Sequence, residues 1–358
     1  MERVTVEVVR RPYRVPFGIS SGRTDDITSL LVRVTSRGTT GIGETTPMTA
    51  YSGETRAGLE EVIAEHLTPA VLGSPVFDLA GLHQRMDVAI RARPLAKAAL
   101  DMALLDLQGK LLGVPCTALL GGRVRERVDI AWVVGLDDVE ATVDEALDRA
   151  ARGFRHIKVK GGIEIDRDLE LVARLGERLP PGVEVGLDAN EGYGRTAALR
   201  ALRRMERAGL SLVEQPLPAW DHRGMAELSA ALDVLVAADE SLYSLHDAAD
   251  LARLRACDVF NIKLLKVGGL YRARQIAAIA ETEGIAIKVG SMPELGVATL
   301  AAAHFAAATP GATVAGDLVG PLMVRGDVIA SPAFTLETCP GYVPVPRGHG
   351  LGFVLSDA

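Results

Sequence analysis

Five charged residues stand at the ends of short apolar runs in the middle of the chain, and they recur at nearly even intervals. They are separated by 24 to 28 residues and are Lys160, Asp188, Glu214, Asp239 and Lys263. Each follows a β-rich run and precedes a stretch of Leu, Ala, Arg and Glu that is typical of a helix. Such spacing indicates one strand-helix unit repeated. Units of this kind build a parallel barrel, whose catalytic groups lie at the carboxyl ends of its strands.

The alternation of strand and helix patterns begins at Val128 and yields eight candidate strands. Eight parallel strands are the number that closes a barrel of this type. We therefore predict an α/β fold with a barrel over residues 126–320. The candidate strands are Val128–Val134, His156–Lys160, Val183–Asp188, Leu212–Gln215, Val234–Asp239, Val259–Lys263, Ala286–Gly290 and Thr313–Asp317.

The first 125 residues have a different rhythm, which predicts a separate α+β domain. Val4–Arg10 and Leu30–Val34 alternate like strands, and a third strand starts at Gly41, so we expect a small antiparallel sheet. A helix is predicted from Pro94 to Leu112, with proline in its first turn and Gly113 beyond its end. We expect residues 1–125 to cap the barrel and residues 321–358, rich in Pro and Gly, to return to that cap.

Composition narrows the classes of partner and compartment. The chain has 358 residues and a net charge of −7, which argues against a nucleic-acid partner. The longest apolar segment, Leu295–Ala308, is shorter than a membrane span and predicts a buried helix. Three widely separated cysteines without a Cys-x-x-Cys pair indicate reduced thiols in a cytoplasmic protein, and they are Cys116, Cys257 and Cys339.

The predicted strand order gives the charged residues a chemical use. Lys160 and Lys263 end the second and sixth strands and would face each other across the barrel mouth, with the three carboxylates between them. Carboxylates placed together repel one another unless a cation is bound, and an all-oxygen set suits Mg²⁺, with Mn²⁺ as an alternative. A substrate carboxylate could complete the coordination, so that the ion would stabilise the enediolate formed when the adjacent C–H proton leaves.

Proton removal needs a neutral amine, and the sequence indicates how one lysine could become neutral. Lys158 and Lys160 alternate on one strand and would point into the barrel together, so Lys158 is expected to lower the pKa of Lys160 and to hold the substrate carboxylate. A lone Lys-x-Lys is usually a solvated strand edge, and a lone Asp at a strand end is often a helix N-cap. Five such residues on five consecutive strands favour a catalytic site.

These residues resemble those of the enolase superfamily and, within it, the muconate-lactonizing subgroup of the mandelate racemase and muconate lactonizing enzyme family. The resemblance spans nearly the whole chain, including Gly41-Ile42-Gly43-Glu44 and Gly290-Ser291-Met292. It implies a modified TIM barrel, (β/α)7β, with Lys160 and Lys263 as the acid/base pair and Lys158 assisting. It also implies that Asp188, Glu214 and Asp239 bind Mg²⁺. Asn190 and Glu240 would orient those ligands, although a loop cap is an equal alternative for Asn190.

The subgroup contains cycloisomerases, racemases or epimerases of amino-acid derivatives and an o-succinylbenzoate-forming dehydratase. The frame Gly316-Asp317-Leu318-Val319-Gly320-Pro321 and the pair Ala131-Trp132 resemble muconate cycloisomerases, which we place first. Dipeptide epimerases carry a second acid where Val319 stands, whereas Asn261-Ile262-Lys263-Leu264 resembles those epimerases. A racemase or epimerase of an N-acyl amino acid or dipeptide is therefore the alternative. A metal-hydroxide hydrolase on the same barrel would need His ligands and a general base in place of the facing lysines. A non-catalytic barrel that binds a carboxylated metabolite would keep its cellular function without Lys160.

Substrate contacts are expected from Asp317 and from loops of the cap. The candidate loops are Phe17–Arg23 and Pro47–Tyr51, with Arg23 and Tyr51 as contacts or, alternatively, plain surface residues. Trp132 would line the pocket floor or fill the core. We expect a small carboxylate substrate, a homo-oligomer and no membrane partner.

Overall fold

The N-terminal part begins with an antiparallel sheet. The structure, a computed structural model, describes residues 1–19 and 22–356, so Ser20 and Ser21 of the candidate loop Phe17–Arg23 lie outside the described residues. The sheet has the order β1 (Arg3–Ile19), β2 (Gly22–Ser36) and β3 (Thr39–Thr45). The helices that follow are α1 (Thr49–Ser52), α2 (Arg56–Glu61), a π-helical segment (Val62–Leu67), α3 (Thr68–Val71), α4 (Leu79–Ala89), α5 (Pro94–Leu112) and α6 (Cys116–Leu119).

Helix α5 is the centre of this N-terminal part, and its predicted bounds are confirmed. Pro94 occupies its first turn, and Gly113 ends it in the left-handed conformation with φ 69°. The helix is buried on all sides rather than along one stripe, because β3 covers one side and the barrel another. Gly43 of β3 allows this approach, since a Cβ there would lie 1.9 Å from the Ala99 carbonyl oxygen.

Seven parallel strands form the barrel sheet, in the order of the chain. Their pairing keeps the strand ends level, with Asp188 beside Lys160 on one side and Glu214 on the other. They are β5 (Ala131–Val134), β6 (His156–Lys160), β7 (Glu184–Asp188), β8 (Leu210–Glu214), β9 (Leu235–Ala238), β10 (Val259–Lys263) and β11 (Ala286–Gly290).

An irregular eighth segment closes the barrel. Val314 bridges Lys288 of β11, and Gly316 bridges Ile130 beside β5, both in the parallel sense. The predicted strand Thr313–Asp317 is therefore present as two single bridges. The predicted first strand, Val128–Val134, divides into β4 (Arg127–Asp129), which pairs outside the barrel, and β5. The (β/α)7β barrel with an N-terminal α+β part is confirmed.

Helices surround the barrel, and the predicted buried helix Leu295–Ala308 is confirmed as α14. The described cysteines are buried and form no disulfide. Among residues 1–19 and 22–356, no helix is both long and apolar enough to cross a bilayer. The barrel helices are α7 (Val139–Ala151), α8 (Ile165–Arg178), α9 (Arg195–Arg207), α10 (His222–Ala231), α11 (Leu245–Leu254), α12 (Leu264–Val267), α13 (Leu270–Glu283), α14 (Gly296–Ala308) and the short α15 (Gly320–Met323).

The C-terminal segment runs back over both parts of the chain. Its strands are β12 (Ile329–Ser331), β13 (Tyr342–Pro344) and β14 (Val354–Leu355), with β12 paired to β14 and β13 to β4. The Leu351 N–H donates to Asp106 Oδ1 of α5 at 2.8 Å, and the Cys116 N–H of α6 donates to the Gly350 carbonyl at 2.7 Å. These contacts join the C-terminal segment to the N-terminal helices. The domain bounds at residues 125 and 320 stay a prediction.

Candidate active site

Alternation along the barrel strands points the charged residues into the barrel. On β6, Ile157 and Val159 face the outer core, while Lys158 and Lys160 face inward. The carboxyl ends of β7, β8 and β10 contribute Asp188, Glu214 and Lys263 in the same way, and Asp239 follows β9 directly. All six predicted metal-binding and catalytic side chains are buried. The structure therefore brings them together at one end of the barrel.

Lysine ammonium groups lie between the three carboxylates. Lys158 Nζ is 2.9 Å from Glu214 Oε1 and 3.1 Å from Asp188 Oδ2. Lys160 Nζ donates to the same Asp188 oxygen at 2.7 Å. Lys263 Nζ is 2.5 Å from Asp239 Oδ2. Each carboxylate is thus neutralised by a neighbouring lysine.

The sequence did not predict that lysines would pair with all three carboxylates. No group of three or more His, Cys, Asp or Glu side chains is arranged to hold an ion in the part of the chain that the structure describes. The donor set nevertheless fits a hard divalent cation, because three carboxylates from adjacent strands concentrate negative charge that cations now balance. An ion at these oxygens would replace lysine ammoniums as their partners.

The ion pairs set the protonation states of the buried groups. Burial disfavours the charged form of Lys158, but Asp317, Glu214 and Asp188 outweigh it and hold the lysine pKa well above its usual value. Burial likewise opposes the charge on Glu214, yet the surrounding lysines, Lys158 first, hold its pKa well below the ordinary range. The pKa of Lys263 is raised, since Asp239 and Glu214 outweigh its burial.

Asn190 links a catalytic lysine to a buried acid. Its Oδ1 accepts from Lys160 Nζ at 3.0 Å, and its Nδ2 donates to Glu240 Oε1 at 2.9 Å. Burial, together with repulsion from Asp239 and Asp188, raises the pKa of Glu240 to about 8. Asn190 has a φ of 40°, a left-handed conformation that asparagine tolerates better than most residues. It therefore has a bridging position beyond that of a simple loop cap.

Four buried polar residues of the site were missed by sequence reasoning. Lys288 pairs with Glu214 Oε2 at 2.8 Å, and Asn261 Nδ2 donates to Glu214 Oε1 at 3.0 Å. Lys266 contacts Asp239 from α12, and Gln215 Oε1 accepts from the Asp239 N–H at 2.9 Å. Alternation along β10 and β11 was the available signal for two of them, because Asn261 and Lys288 are register partners on the inward face.

A cavity of about 80 Å³ opens above these residues. Lys158, Lys160 and Lys263 line it, and Asp317 is the sole carboxylate residue among its described lining residues. Tyr51 of α1 lines it from the cap, as predicted for a substrate contact. The other walls are mainly apolar or aromatic and include Tyr13, Phe17, Met48, Val133, Met292 and Met323. The net positive lining favours an anionic ligand.

Two predicted substrate contacts, Arg23 and Trp132, lie elsewhere. They line a neighbouring cavity of about 320 Å³ between the β1–β2 hairpin, β5 and residues 334–337. Trp132 points away from the lysines because its strand neighbour Val133 takes the inward position opposite Lys158. Its indole donates to Glu145 Oε1 at 2.7 Å, and the Arg149 guanidinium covers its ring at 4.1 Å. Trp132 is therefore buried beside the lysine-lined cavity and does not line it, and its role as a substrate contact stays a prediction.

Comparison with known proteins identifies similar chains over nearly the full length. Residues 1–121 match the model of the mandelate racemase / muconate lactonizing enzyme N-terminal domain, and residues 141–358 match the enolase C-terminal domain-like model. The L-Lys-D/L-Arg epimerase of Methylococcus capsulatus is 37% identical, with 97% of this chain and 96% of that protein covered. Muconate cycloisomerase 1 of Rhodococcus opacus is 34% identical, with 91% and 88% covered.

A solved structure extends the similarity to three dimensions. The N-succinyl Arg/Lys racemase of Bacillus cereus superposes with a TM-score of 0.94 at 32% identity, covering 99% of this chain and 95% of that one. The muconate lactonizing enzyme of Pseudomonas fluorescens also superposes with a TM-score of 0.94, at 33% identity and with 99% and 96% covered, so this fold is shared by structures with two different named activities.

Proposed function

Because the chain belongs to the mandelate racemase and muconate lactonizing enzyme family, as an isomerase of the muconate-lactonizing subgroup, we propose that it moves a proton on the carbon next to a substrate carboxylate. The observation that carries this proposal is the pair Lys160 and Lys263, which line one cavity from β6 and β10. Two amines beside one carbon allow one to remove a proton and the other to return it.

Asp188, Glu214 and Asp239 are the residues that would hold the divalent ion on which members of this family depend. When bound, the ion supplies positive charge that stabilises the negative charge developing on the substrate carboxylate. Asn190, Gln215 and Lys266 contact these ligands or their partners and keep them oriented.

The remaining steps belong to the lysines and the cavity wall. Lys160 and Lys263 transfer the proton, and each must lose its own proton before it can act as a base. Lys158, whose charge is favoured by its carboxylate neighbours, binds the substrate carboxylate. The apolar wall formed by Met292, Met323 and Val319 excludes water from the carbanionic carbon.

Racemisation or epimerisation of an amino-acid derivative is the first candidate. Both lysines are needed for this reaction, and the adjoining cavity of about 320 Å³ provides room for an acyl group or side chain beyond the lysine-lined cavity. The two cavities share Phe17, Val133 and Met323 as lining residues. The relatives that act on arginine and lysine derivatives support this choice of substrate class.

Cycloisomerisation of a muconate is the second candidate, and it is the one that sequence reasoning placed first. The Gly316-Asp317-Leu318 frame and the small volume of the lysine-lined cavity favour it. It requires a proton on only one face of the substrate, so it leaves one of the two lysines without a role in proton transfer.

The test is proton exchange in D₂O with Mg²⁺ and a panel of N-acyl amino acids, dipeptides and muconates. We expect α-deuterium in an amino-acid derivative, followed by NMR, and loss of activity by at least ~100-fold in both Lys160→Ala and Lys263→Ala. In these variants, exchange from only one enantiomer would show that each lysine serves one face. Formation of a deuterium-labelled lactone from a muconate, without α-proton exchange in any amino-acid derivative, would favour the second candidate. Inertness toward the entire panel would remove support for both.

A further inference from the structure

A closed ring of four buried charges lies at the floor of the lysine-lined cavity. Lys158 and Lys288 alternate in it with Glu214 and Asp317. Lys158 is 2.9 Å from Glu214 Oε1 and 2.6 Å from Asp317 Oδ2. Lys288 is 2.8 Å from Glu214 Oε2 and 2.9 Å from Asp317 Oδ1. Every carboxylate oxygen of the ring thus lies within ion-pair distance of an ammonium, although Asp317 Oδ1 accepts no hydrogen bond among the described residues. The four charges of the ring balance.

Lys288 reaches this position from below the cavity. It stands on the inward face of β11, opposite Asn261 on one side and bridged to Val314 on the other. Its side chain is only 3% exposed and is not among the described residues that line the cavity. Lys288 therefore acts on the substrate space through its partners, of which Asp317 lines the cavity directly.

The ring determines whether Asp317 can pair with a positively charged group of a substrate. Asp317 is the carboxylate among the described lining residues, and each of its oxygens already has a lysine of this chain beside it. Lys158 donates a hydrogen bond to Oδ2 at 2.6 Å, and Lys288 Nζ forms an ion pair with Oδ1 at 2.9 Å. The next inward candidate along the segment, Val319, is apolar. A substrate ammonium placed here would compete with Lys158 and Lys288 for Asp317 and would lie among Lys158, Lys160 and Lys263.

We propose that Lys288 is a specificity-determining residue that selects substrates whose acyl group carries no ammonium. This inference rests on the proposed amino-acid substrate class and narrows it from dipeptides to N-acyl amino acids with a neutral or anionic acyl group. Lys288 is a positioning residue in this role, since it acts by neutralising and holding Asp317. Without it, Asp317 keeps only Lys158 as a cationic neighbour in the ring, and the loss of one positive charge beside Asp317 favours a substrate ammonium with or without an ion at Glu214.

Acetyl and glycyl derivatives of one amino acid provide the matched probes, because glycyl replaces a hydrogen of the acetyl methyl by an ammonium. A series with Ala, Leu, Phe, Lys and Arg as the amino acid would be compared for binding by calorimetry and for α-proton exchange in D₂O, both with Mg²⁺. We expect wild-type protein to prefer the acetyl member of each pair. Lys288→Met should shift the acetyl-to-glycyl ratio toward glycyl by roughly 10- to 100-fold, the size of one partly screened buried charge.

Three controls separate specificity from stability. Lys97→Met removes another buried, ion-paired lysine, 2.7 Å from Asp87, and should leave the ratio unchanged. Lys288→Gln should shift the ratio as Lys288→Met does, which covers the case that one variant fails to fold. Asp317→Asn should shift it in the opposite direction, because the ring then gains net positive charge.

A wild-type preference for glycyl substrates would overturn the inference, as would an unchanged ratio in folded Lys288 variants. Failure of the proposed function looks different: neither member of any pair would exchange its α-proton. In that case the calorimetric ratio still tests the role of Lys288, since binding requires no turnover.

Discussion

Glu214 shows how strongly a single residue depends on its partners. Its side chain is fully buried and contacts Lys158, Lys288 and Asn261. Burial alone would favour the neutral acid, yet the lysines outweigh this effect and hold its pKa far below the usual value. The carboxylate therefore balances two lysines and, in the proposed function, would also bind the divalent cation. Stability and metal binding would then be linked through this one side chain.

The Glu214→Gln variant separates these roles. It leaves Lys158 and Lys288 short of negative charge, and we expect the metal-free free energy of unfolding to fall by about 3–5 kcal/mol. Chemical denaturation measures this loss. Millimolar Mg²⁺ should stabilise wild type by about 2.7 kcal/mol at 100 times Kd, with EDTA reversing the gain, and should stabilise the variant less.

Glu227→Gln is the matched control for that change. Glu227 pairs with Arg195 at 2.5 Å on the surface, with 68% of its side chain exposed. Its loss should cost no more than about 1 kcal/mol and leave the response to Mg²⁺ intact. Equal stabilisation of Glu214→Gln and wild type by Mg²⁺ would contradict the assignment of Glu214 as a ligand.

Among the elements, the contact between β3 and α5 holds the N-terminal sheet against the central helix of the cap. Glycine at Gly41 and Gly43 brings the strand against the helix backbone, where a Cβ would meet the Ala103 and Ala99 carbonyl oxygens. The next residue, Glu44, extends from β3 to α14 and accepts from the Leu295 and Ala298 N–H groups at 2.6 and 3.0 Å. Close packing at the glycines thus helps to place a carboxylate that joins the cap to the barrel.

Gly43→Ala tests this packing. The added methyl would overlap the Ala99 carbonyl oxygen, so strand and helix must separate, and we expect the free energy of unfolding to fall by about 1–3 kcal/mol or more. Gly311→Ala serves as the control, since its Cβ would make only an ordinary contact at 3.6 Å with Ile287. Urea denaturation of both variants provides the comparison. Equal stability of Gly43→Ala and wild type would contradict tight β3–α5 packing.

At the scale of the whole molecule, a buried histidine connects the barrel to the C-terminal segment. His304 of α14 donates from Nε2 to the Leu351 carbonyl at 3.1 Å, while its Nδ1 is buried without a hydrogen-bond partner among the described residues. Burial, with repulsion from Arg123, lowers its pKa to about 4. The folded protein therefore holds this histidine neutral.

Stability should consequently depend on pH. An unfolded histidine takes up a proton near pH 6.5, whereas the folded one does so only near pH 4, so acid favours the unfolded chain between these values. We expect His304 to reduce the free energy of unfolding by about 2 kcal/mol between pH 7.5 and 5. Urea titrations should show that His304→Gln loses less unfolding free energy over this pH range than wild type does. His246 is exposed, so His246→Gln should lose as much unfolding free energy between pH 7.5 and 5 as wild type. The same dependence of unfolding free energy on pH in all three proteins would contradict the prediction.

Much of the fold follows from short-range patterns. Proline and glycine at its ends, with apolar residues between, were enough to predict Pro94–Leu112, because a helix is specified by local caps and periodicity. Even spacing of the charged residues was enough to predict the barrel and to bring Lys160, Asp188, Glu214 and Lys263 to one end. Alternation within a strand explains why Lys158 and Lys160 share a face.

Only the tertiary structure decided which side chains meet. Strand Ala131–Val134 has no charged residue whose position would show which side chains face into the barrel. The outward position of Trp132 therefore depends on pairing with β6. Lys288 meets Asp317 because an irregular segment closes the barrel beside β11, and Lys266 reaches Asp239 from another element. The sequence alone determined the elements and the residues at their ends, since these depend on neighbours a few positions away. Pairing of the buried charges depends on strand register around the closed barrel, which no local pattern contains.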